Sequence, residues 1–73
     1  MTEQEINALL QQGIDLYDQG LLKEAVDIWR SIKREDSPEL YAKAQFNLGV
    51  TLEKRGDDEG AIAAYQNVKH EDS

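Results

Sequence analysis

The chain has no cysteine, which removes disulfides, thiolate metal sites and thiol nucleophiles and leaves the redox compartment open. It has a single histidine, His70, near the C-terminus, so an imidazole base or metal ligand has one poorly held candidate. Proline occurs once, at Pro38, and aromatic residues make up 7%. No apolar run approaches the ~20 residues of a membrane-spanning helix. The opening Met1-Thr2-Glu3-Gln4-Glu5 is acidic, where a secretory leader carries a basic and then an apolar region. No membrane partner and a cytoplasmic location are the expectations. Basic residues are the minority, 8 against 15 acidic, for a net charge of −7. A surface of that sign repels phosphate backbones and argues against nucleic acid as a partner. It mildly favours basic ones.

Catalytic patterns are equally scarce. There is no glycine-rich phosphate loop, and Asp57-Asp58-Glu59 lacks the alternating oxygen ligands of a calcium loop. Those acids suit the positive start of a helix. Arg55-Gly56-Asp57 spells a cell-adhesion tripeptide, but the glycine falls where a turn needs it, and coincidence explains the match. No enzyme, cofactor or metal is expected.

What is present is helical period. The 73 residues allow one small domain, with 40% hydrophobic and 32% charged residues, a balance that suits a soluble helical protein. Thr2 and Glu5 have the spacing of a capping box. Ile6, Leu9, Leu10, Gly13, Leu16 and Tyr17 then recur at steps of three and four, with Gly20 as the stop. A second helix is expected from about Leu21 to Lys33, its apolar positions including Ala25, Val26, Trp29 and Ile32. Ser37-Pro38 reads as N-cap and first turn of a third helix that runs to about Arg55. Asp57 or Asp58 caps a fourth, carrying Ala61, Ile62, Tyr65 and Val68 and ending near His70. There is no strand signal.

The chain also repeats itself. Shifted by 36 positions, Ala8, Gly13, Leu16, Gly20 and Ala25 fall on Ala44, Gly49, Leu52, Gly56 and Ala61. Trp29 falls on Tyr65 and Ile32 on Val68, while Lys33-Arg-Glu-Asp-Ser37 recurs as Lys69-His-Glu-Asp-Ser73. A repeat of this length is the mark of stacked helical pairs. The single domain, 1–73, then divides into repeat 1 (about 2–36) and repeat 2 (about 37–73).

Over nearly its whole length this pattern resembles the tetratricopeptide repeat family, whose unit is a helical hairpin of about 34 residues. The signature positions are Leu48, Gly49, Leu52, Gly56, Ala61, Tyr65 and Val68, and, in the first copy, Gly13, Leu16, Gly20, Ala25, Trp29 and Ile32. The resemblance implies an all-α, right-handed stack of helix-turn-helix hairpins, an α-solenoid of four helices. In it, glycine at 13 and 49 lets paired helices approach, and Trp29 and Tyr65 fill the space between one pair and the next. Gln12 departs from the pattern, standing where the family prefers leucine, which an exposed N-terminal end tolerates.

The function the resemblance implies is a non-catalytic protein–protein interaction scaffold with a concave groove for a peptide or protein segment, basic or apolar. By position, that groove would be lined by Asn7, Leu10, Gln11, Ile14, Tyr17 and Asp18, and by Lys43, Phe46, Asn47, Val50, Glu53 and Lys54. Leu10, Ile14 and Val50 also fit a packing role between neighbouring first helices. A clamp for a terminal carboxylate is not expected, because the first copy offers Asn7 and Gln11 without a cation. The alternative reading is a self-associating structural unit, a homo-oligomer or part of a longer array. Its face would be Ile62, Tyr65 and Val68, which no following repeat covers.

Overall fold

The computed structural model describes residues 1–72, with side chains through Val68. It contains four helices and no strand among these residues: α1 Glu3–Asp18, α2 Leu22–Ser31, α3 Pro38–Lys54 and α4 Asp58–Asp72. His70 and the Lys69–Ser73 block lie outside the described side chains.

Local chemistry sets each boundary. Thr2 Oγ1 accepts from the Glu5 amide at 3.2 Å while Glu5 Oε1 accepts from the Thr2 amide at 2.8 Å, a complete capping box. The Thr2 amide first, and the Thr2 side chain second, hold the Glu5 carboxyl below the usual carboxylate range. Ser37 Oγ caps α3 at the Leu40 amide, with Pro38 in the first turn. Asp57 Oδ1 accepts from the Gly60 amide at 3.0 Å at the start of α4.

Both hairpin turns close identically. The amides of Leu21 and Asp57 reach back to the carbonyls of Leu16 and Leu52 at 2.9 and 2.8 Å. Between them Gly20 and Gly56 take φ of 81° and 86°, a region closed to most side chains.

α2 ends two residues before the expected Lys33, at Ser31. Ile32 leaves the helix in extended conformation (φ −90°, ψ 121°) and still buries its side chain. Its apolar character is satisfied without helical geometry, and the chain is turned toward α3.

The helices form a slab of 30 × 27 × 13 Å. Its core is Ile6, Leu10, Ala25, Val26, Trp29, Ile32, Ala44, Leu48, Leu52, Ala61 and Ala64. Within each hairpin one aromatic lies flat against one glycine. A Cβ at Gly13 would sit 2.5 Å from the Trp29 ring, and one at Gly49 would sit 2.5 Å from the Tyr65 ring. Contacts that short are unavailable to any larger residue, so these glycines set the spacing of α1 on α2 and of α3 on α4. Trp29 thus packs first inside its own hairpin. It also crosses to the next: its indole N–H donates to Thr51 Oγ1 at 3.0 Å, in a site with almost no exposure. On the far side of α3, Asn67 Nδ2 donates to Gln45 Oε1 at 2.8 Å and ties α4 down.

Candidate functional site

Two concavities open along α3. The first lies between α1 and α3 and is lined by Ile14, Tyr17, Asn47, Val50, Thr51 and the edge of Trp29, with a volume of about 90 Å³. Its walls come from the same face of the two first helices, and its floor comes from the joint between the hairpins. That floor is chemically complete. Thr51 O–H donates to the Asn47 carbonyl at 2.7 Å while its oxygen accepts from Trp29. The wall side chains are freer: Ile14 is 40% exposed, and Tyr17, Asn47 and Val50 are half-buried. At the Tyr17 side, Lys54 Nζ lies 5.2 Å from the ring centroid, a cation–π contact between the two helices.

The second concavity is an open trough of about 330 Å³ lined by Ala42, Lys43, Phe46, Asn47 and Val68. Asn47 borders both. Phe46 tilts against Tyr65, ring centroids 5.7 Å apart, and the Tyr65 hydroxyl donates to Glu53 Oε1 at 2.5 Å. That bond, assisted by partial burial and the Glu53 charge, pushes the Tyr65 phenol up to about 12.

The residues assigned from sequence are therefore divided. Ile14, Tyr17, Asn47 and Val50 meet in the first cleft, with Lys54 at its edge. Lys43 and Phe46 belong to the trough, and Glu53 is held by Tyr65. Leu10 is core, 8% exposed, and presents little surface to a ligand. Asn7, Gln11 and Asp18 are exposed on α1 outside both concavities, with Gln11 donating to Asp15 at 3.0 Å. Of the other face, Ile62 is 57% exposed, Val68 lines the trough and Tyr65 is half-buried. Trp29, Thr51 and Ala42 line the concavities without having been picked out. Their place depends on how one hairpin is rotated on the other, which no spacing within a helix encodes.

Among the described residues no three of His, Cys, Asp or Glu converge on a point that could hold a metal ion. No described helix is long and apolar enough to cross a membrane.

Residues 43–73, most of α3 and all of α4, match the family model described as tetratricopeptide repeat. Comparison with curated proteins and with solved structures finds no match. The matched stretch carries the Gly49–Tyr65 contact and the Gly56 turn, and the match supports a tetratricopeptide repeat there.

Proposed function

We propose that the chain is a non-catalytic interaction module of two repeats, about 2–36 and 37–73, that binds an extended segment of a partner protein in the cleft between α1 and α3. The observation that carries this is the convergence of Ile14, Tyr17, Asn47 and Val50, from both hairpins, around one small apolar socket. Repeats of this family generally serve as protein–protein interaction scaffolds, which agrees with it. The recurrence of the Gly13–Trp29 contact as Gly49–Tyr65 supports reading the first hairpin as a second copy of the unit.

Size decides the class of ligand. At about 90 Å³ the cleft is far below the roughly 300–1,000 Å³ of small-molecule sites. It suits one apolar side chain of a peptide whose remaining contacts run over the polar rim, where Asn47 offers both a donor and an acceptor to a peptide backbone. The acidic net charge favours a segment with basic residues beside the apolar anchor.

The test is selection of random 12-residue peptides on the immobilised protein, followed by titration of the selected peptides into Ile14→Asp and Asn47→Ala. Both side chains lie outside the core, so the variants fold. A loss of about tenfold or more in affinity, ~1.4 kcal/mol, is expected at each. Unchanged binding by both variants refutes the groove.

A second reading, self-association, is favoured by one observation. Phe46 and Ile62 are each more than half exposed on the same end of the slab.

A further inference from the structure

The cleft between α1 and α3 has a floor that cannot give way. The edge of Trp29 forms part of it, and that ring has no room to shift: it lies against Gly13 so closely that a Cβ there would sit 2.5 Å away. Toward the second hairpin its indole N–H is held by Thr51 Oγ1 at 3.0 Å, and the Thr51 hydroxyl is held in turn by the Asn47 carbonyl at 2.7 Å. Both residues are buried, Trp29 at 1% and Thr51 at 0% exposure.

The walls are stiff for a different reason. Ile14 and Val50 stand at equivalent positions of the two copies, and both are β-branched. In a helix that leaves essentially one χ1 rotamer, where an unbranched methionine would swing aside to admit a larger group. At the remaining side, the Tyr17 ring carries the Lys54 ammonium 5.2 Å from its centroid.

A rigid cleft selects by size. At about 90 Å³ it is well below the ~150 Å³ of an apolar cavity that takes up benzene. The isopropyl group that ends a valine or leucine side chain has half the carbons of a phenyl ring.

The rim points to the rest of the occupant. The side-chain amide of Asn47 is half-buried beside the socket and makes no hydrogen bond among the described residues. Its counterpart in the first copy, Gln11, is spent on Asp15 at 3.0 Å. A free donor and acceptor at this place match a peptide group passing over the socket. The α1 side is acidic: Glu3, Glu5, Asp15 and Asp18 stand on a helix without lysine or arginine. Asp18 follows Ile14 by one turn on the same face, and no ion pair engages it among the described residues. Basic residues flanking the anchor complement that rim.

We propose that the cleft takes the isopropyl end of a valine or leucine from an extended, basic segment and excludes aromatic anchors, with Val50 setting the limit. This rests on the groove reading and adds which side chain is accepted and which residue decides.

The experiment starts from the random peptides selected on the wild-type chain, keeping those whose binding Ile14→Asp abolishes. Alanine scanning of one such peptide finds its anchor, and versions with leucine, valine or phenylalanine there are titrated by calorimetry. Phenylalanine should bind at least ~10-fold more weakly than leucine, the discrimination a misfit of one methylene already gives in an apolar pocket. Val50→Ala trims the wall and should bring the two toward equality. That ratio is taken within one variant, so a change in the variant's stability cancels. Binding should weaken between about 0.05 and 0.5 M salt, as charges on the segment and the α1 rim are screened. If no selected peptide depends on Ile14, the groove and this proposal fall together. Peptides that depend on Ile14 yet bind as well with phenylalanine overturn the size limit and leave the groove standing. A ratio unmoved by Val50→Ala overturns the role of Val50, and affinity indifferent to salt overturns the basic flank.

Discussion

Replacing Thr51 by valine keeps the shape of a fully buried side chain and removes one oxygen. That oxygen receives the indole N–H of Trp29 at 3.0 Å, linking the two hairpins. The Asn47 carbonyl, to which the Thr51 hydroxyl donates, keeps its helical partner and loses only an extra bond. The indole N–H keeps nothing, because Trp29 is 1% exposed. A buried donor left unpaired costs about 1–3 kcal/mol, and the methyl that replaces the hydroxyl returns up to ~0.8 kcal/mol of apolar burial. The net loss is about 1–2 kcal/mol, a fall in Tm of roughly 5–15 °C for a domain this small. Urea unfolding followed by the helical circular dichroism signal measures the loss directly and reads variants without the single tryptophan equally. The decisive form is a double-mutant cycle with Trp29→Phe, which removes the donor. Thr51→Val should cost ~1 kcal/mol less in that background than in the wild type. Equal costs in both backgrounds would refute the hydrogen bond as the cause.

Gly13→Ala and Gly49→Ala should differ, although each adds the same methyl 2.5 Å from a ring. Trp29 is covered on both sides and pinned by Thr51, so Gly13→Ala costs about 1–3 kcal/mol of overpacking, less ~1 kcal/mol of helix propensity. Tyr65 has an open side and can shift, so Gly49→Ala should cost less in the same denaturation assay, and the reverse order would contradict the packing described. The raised Tyr65 phenol, near 12 in the fold, keeps its proton more tightly there than in the unfolded chain at about 10. Its contribution is therefore intact below pH ~10 and lost as pH rises from there to ~12. Denaturation across that window should show falling stability that Tyr65→Phe makes shallower, and an identical slope in the variant would count against the Glu53 bond. Lys54→Met removes the cation over Tyr17 and should leave the melt within ~1 kcal/mol, since the contact is exposed.

The helices were readable because their signals are local. Thr2 with Glu5, Ser37 with Pro38, and Gly20 and Gly56 each act within one turn of the chain, and the structure uses all of them. Close approach at Gly13 and Gly49 followed from the resemblance, but Trp29 and Tyr65 were expected between one pair and the next, whereas each ring lies against the glycine of its own hairpin. Ile32 was misplaced because helical period records that a residue is buried, not in which conformation. The site was legible only in part. Ile14, Tyr17 and Val50 lie on a second apolar edge that period separates from the hairpin seam, while Asn47 was named only through the resemblance. Leu10 is instead part of the buried core, which the period of its own helix does not reveal. Thr51 and Trp29 meet only once the second hairpin is docked, and no spacing in either helix announces the pair.

The most direct test of the interaction-module account is a backbone amide NMR titration of the wild-type chain with a peptide from the random library. The account predicts shifts concentrated at Ile14, Tyr17, Asn47, Val50 and the Trp29 indole N–H, with Ile62 and Ala64 unmoved. Shifts confined to Ile62, Phe46 and their neighbours, with the α1–α3 cleft silent, would contradict it and place recognition on the open end of the slab.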